Sequence, residues 1–321
     1  MSNAMRIGLV GFGYWARVSY LPLMDEITDA KVVSVAARTE GSRTAAREQL
    51  GEEVKLFAGY SELIEAGDVD AVLIALTSEL NAAAAAEALR AGLHTFVEPP
   101  FARDEDTERM LSLAESGSAV LHVDVEPRYL PAVQALRRLF GEEGELGMLH
   151  SCHLQHEMLL ASDYQRSSMI SGLGPWYVDL LDSLVESPAK RIEMLPSKIR
   201  GDGLVVTGRA EIAYQSGARS SWTFSFEGPS VLGLKLTLTG AAGEATADLT
   251  TGEYAWRRQG GDWNSGVADC TRPEAGFVGM RESLRAFISA ARGQGKTMSG
   301  PDVIRRTQPV LLELRRQEAE L

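Results

Sequence analysis

Gly11, Gly13 and Ala16 carry the plainest chemical signal in the sequence. They fill the pattern G-x-G-x-x-G/A within GLVGFGYWAR, directly after the apolar run IGLVG. Gly11 permits a tight turn, Gly13 lets a diphosphate approach the backbone, and Ala16 keeps the following helix close to its sheet. The N-terminus of that helix offers unpaired N–H groups and a partial positive charge to the anion. The implied chemistry is dinucleotide binding, set against the plainer alternative of a glycine-rich turn with no ligand. Cofactor type is read about 20 residues further on, at the end of the second strand. That strand ends in AARTEGSR, with no acid at Ala37. Arg38, Thr39 and Arg43 suit a 2′-phosphate, and Arg38 could also stack on adenine. NADP is therefore expected ahead of NAD, with a solvated arginine at a strand end as the alternative.

A second group of residues invites a metal. His150, His153 and His156 recur at every third position in HSCHLQHEM. Side chains alternate along a strand, so His153 faces away from the other two and no metal site is expected.

These residues need elements to position them. Short apolar runs at 7–11, 31–37, 70–76, 94–98 and 119–125 alternate with helical stretches such as Asn81–Ala91 and Asp104–Ser116. Continuous apolar strands separated by helices predict a parallel sheet covered on both faces. After about Glu126 the period changes. SWTFSFE (221–227) and LGLKLTLTG (232–240) alternate with period two, and EGPS and GAAGE supply turns, which predicts an antiparallel sheet. Helices near Glu274–Ala291 and Pro301–Glu320 close the chain.

The totals agree with a two-domain protein. The chain has 321 residues, 45% of them hydrophobic. No segment approaches the roughly 18 unbroken apolar residues of a membrane span. Lys plus Arg is 32 against 44 Asp plus Glu, a net charge of −12, which disfavours nucleic-acid and anionic-membrane partners. Cys152 and Cys270 are too few for a disulfide framework, so a cytoplasmic location is expected. Met1–Ala4 reads as a cloning remnant and is left out of the fold.

Four stretches resemble the Gfo/Idh/MocA family of oxidoreductases: GFGYWARVSYLPLM, AVLIALTSELNAAAAAEALRAGLHTFVEPPFA, VEPRYLP and GELGMLHS. The resemblance implies an α/β protein with a doubly wound Rossmann domain at 5–125. A C-terminal α+β domain with an open, mostly antiparallel sheet would follow at 126–321. It also implies NAD(P)-linked chemistry on a small molecule and a homodimer or homotetramer packed through that sheet. Around the dinucleotide it places Phe12 and Trp15 of the turn, then Leu76, Thr77, Asn81 and Glu98.

The same resemblance shows where this chain departs. The family's E-K-P lysine slot holds Pro99, while Glu98 and Pro100 are kept, Pro100 as an expected cis-proline. In the D-x-G-x-H stretch followed by x-x-D, the slots read Gly172, Gly174, Trp176 and Asp179. Taking Asp179 as the first aspartate instead puts Ser183 at the histidine. Asn81 replaces the histidine of T-P-N-x-x-H. Alcohol oxidation needs a group that accepts a proton as hydride leaves. Proline and glycine have none, and indole only donates.

His156 and Asp179 are the remaining candidates for proton transfer, His156 because an imidazole could donate near pH 7. Packing or helix anchoring is the alternative for each. Arg128 and Arg166 could fork onto a substrate carboxylate or phosphate, or form structural ion pairs. Pro99, Gly172 and Trp176 complete the expected pocket, Trp176 either stacking on a flat substrate or filling the site. Tyr129 and Tyr177 could donate as phenols, although core packing is their default. Two functions follow: an NADP-dependent C=N or C=O reductase with reassigned acid/base groups, or a redox-silent protein that binds a dinucleotide or ligand.

Overall fold

The computed structural model describes residues 4–102, 104–159, 168–228, 232–269 and 279–321. Six parallel strands form the first sheet: β1 Met5–Val10, β2 Ala30–Ala36, β3 Lys55–Phe57, β4 Ala71–Ile74, β5 His94–Val97 and β6 Leu121–Val123. Their order is β3-β2-β1-β4-β5-β6, so the direction of winding reverses between β1 and β4. Strand β4 is apolar throughout and β5 ends in Phe96 and Val97, all of them buried. The sequence predicts this sheet except for β3. That strand has three residues, none of them fully buried, which is too little for an apolar run to reveal.

Eight strands form the second sheet. They are β7 Leu149–Glu157, β8 Ala189–Ile199, β9 Val205–Tyr214, β10 Arg219–Ser225, β11 Gly233–Gly240, β12 Gly243–Asp248, β13 Glu253–Arg258 and β14 Asn264–Val267. The order is β14-β13-β12-β11-β7-β10-β9-β8, antiparallel except where β10 runs parallel to β7. Burial alternates along β10, with Ser220, Trp222 and Phe224 buried and Ser221 and Thr223 less so. This is the period-two pattern of a strand with one covered face.

The chain divides into two compact units, Met1–Val125 with Arg272–Ile304, and Glu126–Thr271 with Arg305–Leu321. The sequence predicts a single division, with all of 126–321 in the second domain. The difference comes from the helix Met280–Ala291. Its apolar face puts Met280, Leu284, Phe287 and Ile288 into one core with Ile7, Leu9 and Phe96 of the parallel sheet. Each such side chain withdrawn from water contributes about 1.5–3 kcal/mol. No helix among the described residues is long and apolar enough to cross a membrane.

Candidate functional site

The glycine turn leaves β1 at the edge where the winding reverses, the place where open α/β sheets bind ligands. Gly11 has φ +98°, and a Cβ there would sit 2.3 Å from the Ala75 carbonyl oxygen. Only glycine fits that approach. Gly13 differs: a Cβ there would meet nothing within 4 Å. The backbone of the turn is thus bare on that side, the kind of cradle a diphosphate needs. Phe12 is buried in the core, so its side chain packs and only its backbone can serve a ligand. Ala16 is fully buried beneath the first helical turn.

The next loop is braced by one side chain. The Asn81 Oδ1 accepts from the Leu76 amide at 3.0 Å, and its Nδ2 donates to the Glu98 carbonyl at 2.9 Å. Asn81 is almost wholly buried. It ties the loop after β4, with exposed Thr77, to the end of β5, and so shapes the rim of the cradle.

At the end of β2, the three predicted 2′-phosphate residues separate. Thr39 caps the helix Glu40–Leu50, its hydroxyl accepting from the Ser42 amide at 3.2 Å and donating to the Ser42 hydroxyl at 2.8 Å. Arg43 donates to the carbonyls of Ala37 at 2.7 Å and Arg38 at 2.9 Å, bracing the strand end. Arg38 is exposed and carries the charge available to a phosphate.

Behind the turn lies a group the sequence does not advertise. The indole N–H of Trp15 and the hydroxyl of Tyr20 both donate to one oxygen of Glu98. Glu98 and Asp124 lie side by side just past the paired strand ends Val97 and Val123, the Asp124 amide donating to the Val97 carbonyl at 2.9 Å. Burial raises the Tyr20 phenol well above its ordinary range, with the charges of Glu98 and Asp124 adding to the effect, so it remains a donor. Pro99 follows, buried, and the Pro99–Pro100 peptide is cis as expected. The only hint of this group in the sequence is an aspartate closing the apolar run AVLHV. A carboxyl so placed needs a partner.

In the second unit, Arg128 and Asp179 meet each other. The guanidinium clasps the carboxylate with two bonds, Nε to Oδ2 at 2.7 Å and Nη2 to Oδ1, with both residues buried. Three residues along the helix Met169–Val185, Asp182 pairs with Arg306 Nε at 3.0 Å. His156 is fully buried against Tyr177, Trp222 and Phe226, with ring centroids 4.3, 6.2 and 5.4 Å away. Neither ring nitrogen has a hydrogen-bond partner among the described residues. Burial pushes its pKa down to about 3, so it is neutral at pH 7, with one ring N–H.

Trp176 is half-buried, with its indole nitrogen unpartnered among the described residues, and Gly172 is half-buried on the same helix. Tyr129 is buried, and burial raises the Tyr177 phenol, aided by the charge of Glu126. Gly174 lets two helices close, since a Cβ there would come within 2.6 Å of Leu311. Arg166 lies outside the described residues. His150 is exposed, and the half-buried His153 pairs with the Ser221 hydroxyl at 2.7 Å. No three His, Cys, Asp or Glu side chains gather as a metal would require, among the described residues.

The whole fold is shared with solved structures. A dehydrogenase from Chromobacterium violaceum superposes with TM-score 0.84 at 18% identity, over 99% of this chain and 96% of that one. An oxidoreductase from Agrobacterium radiobacter, in complex with NAD+, L-tartaric acid and magnesium, superposes with TM-score 0.84 at 17% identity, over 99% and 97%. Among curated proteins, inositol 2-dehydrogenase of Corynebacterium glutamicum is 27% identical over 198 residues, 60% of this chain and 58% of that protein. The dTDP-3,4-didehydro-2,6-dideoxy-alpha-D-glucose 3-reductase of Streptomyces violaceoruber is 39% identical over 120 residues, 37% of this chain and 34% of that protein. The chain therefore spans between a third and three-fifths of these relatives' lengths. Residues 5–125 match the model described as oxidoreductase family, NAD-binding Rossmann fold. That match covers the N-terminal domain, a little over a third of the chain, and is to the Gfo/Idh/MocA model.

Proposed function

We propose that this protein is an NADP-preferring oxidoreductase acting on a small molecule, a C=N or C=O reductase whose proton chemistry does not use the family's lysine. The observation that carries the reading is the glycine turn. It combines a forced φ at Gly11 with a bare face at Gly13, at the reversal point of a parallel sheet. A bound NADPH would supply the hydride and leave as NADP+. The chain would hold its diphosphate on the amides following Gly11 and its 2′-phosphate on Arg38. Asn81 and Glu98 would shape the rim. Pro99, buried in the lysine slot, offers no proton, so an electrophile that arrives already protonated, such as an iminium, suits the site best.

Calorimetric titration tests the cofactor. NADPH should bind more tightly than NADH, and Arg38→Ala should weaken NADPH by about tenfold to a hundredfold while leaving NADH nearly unchanged. Equal loss for both would sink the assignment of Arg38. Turnover is tested by mixing protein and NADPH with cyclic imines, ketones and sugars and following the NADPH absorbance. Consumption with an imine is the expected result. Tight NADPH binding with no consumption across the panel would favour the redox-silent alternative, which the filled lysine slot also motivates.

A further inference from the structure

A continuous run of buried polar groups lies behind the glycine turn, and it contains two carboxyls. Glu98, Asp124 and His122 are nearly or fully buried. The Asp124 Oδ1 accepts from the Ser283 hydroxyl at 3.2 Å, and that hydroxyl lies 2.9 Å from Nε2 of His122. The His122 Nδ1 lies 2.9 Å from the Thr297 hydroxyl, which accepts from the Ser299 amide at 3.0 Å. Phe96 stacks on the imidazole with centroids 4.8 Å apart. At the other end, Trp15 and Tyr20 place two donors on Glu98. The register of β5 and β6 sets Glu98 and Asp124 side by side in the interior, and two ionised carboxylates so placed repel, which favours a proton held between them.

Each carboxyl has neighbours that favour its charged form. Glu98 has an indole and a phenol pointed at one oxygen, which favours its charged form. Asp124 faces Glu98 and a single hydroxyl. Burial pushes the Asp124 carboxyl up to about 7, against the pull of its hydrogen bonds from Glu98 and Ser283. The groups that face the pair are Tyr20 and Trp15 from the first helix, Ser283 from the helix Met280–Ala291, and His122 beyond Ser283 on β6.

We propose that Glu98 and Asp124 hold a single exchangeable proton between them, and that dinucleotide binding at the glycine turn draws this pair toward its protonated form. The coupling rests on the proposed cofactor role of the turn. Trp15 belongs to that turn and donates to Glu98, so a diphosphate set against the turn brings negative charge toward the pair. Like charge disfavours the doubly ionised state and raises proton affinity. By reciprocity, NADPH affinity is highest below the pair's titration and falls as pH rises through it.

The pair and its coupling are tested separately. The indole N–H of Trp15, assigned by its loss in Trp15→Phe, is followed in proton–nitrogen spectra of the ligand-free protein from about pH 5 to about pH 9. A shift with a midpoint near 7 is expected. It should vanish in Asp124→Asn. The gentler Ser283→Ala should move the midpoint upward, because it removes a bond to the charged form. A flat Trp15 signal in the unaltered protein overturns the shared proton. The coupling is read by titrating NADPH calorimetrically near the midpoint in buffers of differing ionisation enthalpy. Uptake of a fraction of a proton is expected, absent in Asp124→Asn, with NADPH affinity several-fold weaker at the alkaline end. Binding without proton uptake overturns the coupling alone. No NADPH binding, with the Trp15 titration intact, overturns the cofactor reading and the coupling while the shared proton stands.

Discussion

Gly11→Ala should lose nearly all NADPH binding and destabilise the N-terminal unit by about 2–5 kcal/mol. The cost has two sources. At φ +98° an L-residue is strained, and the new Cβ would be driven to 2.3 Å from the Ala75 carbonyl oxygen. That oxygen belongs to backbone at the end of β4, anchored by the Ala75 amide on the Val10 carbonyl at 2.9 Å, so it cannot swing away as a side chain would. Relief requires opening the junction between β1 and β4, where the cradle is built. Gly13→Ala is the instructive contrast. Its Cβ would meet nothing, so stability should change by no more than about 0.5 kcal/mol. Yet the methyl occupies the bare face of the turn, and NADPH affinity should fall by about tenfold or more. Urea denaturation and calorimetry on the two variants separate a residue that makes the turn from one that keeps it open. If Gly13→Ala binds NADPH as well as the unaltered protein, the diphosphate does not lie against that turn.

Residues that act through local pattern were legible, and residues that act through assembly were not. The parallel strands announce themselves because β1 and β4 are covered on both faces and read as short, nearly continuous apolar runs. The alternation in β10 and β11 follows from one covered face. The glycine turn is legible because its constraints are local. Asp124 shows the limit. Nothing in AVLHVDV says that the aspartate meets Glu98, 26 residues earlier, or Ser283, 159 residues later. The helix Met280–Ala291 has an evident apolar face, but periodicity cannot say which of two cores receives it. Asn81 carries the same lesson in the other direction. Its slot suggests a ligand contact, whereas its amide spans two backbone groups that only the folded chain brings together. His156 is a like case: its position on β7 is readable, but the aromatic rings that make it neutral come from a helix and from residues beyond β9.

Asp179→Asn should cost about 3–5 kcal/mol of stability in urea denaturation, because it replaces the carboxylate that clasps a buried guanidinium. Neutral asparagine keeps the shape but offers one acceptor in place of two charged ones, leaving the charge of Arg128 under-compensated where water cannot reach it. The expense lies in the uncompensated charge rather than in the lost contact. The double variant Arg128→Met with Asp179→Leu should therefore recover most of the loss, which additive single effects would not allow. The same measurement weighs the two roles open to Asp179. Its bonds to Arg128 engage both carboxylate oxygens, the geometry of an anchor for the helix Met169–Val185. If Asp179→Asn folds with unaltered stability and NADPH affinity but loses turnover on an accepted imine, the aspartate is a proton-transfer group and the anchor reading fails. If stability collapses and the double variant restores both folding and turnover, the proton must come from elsewhere in the site.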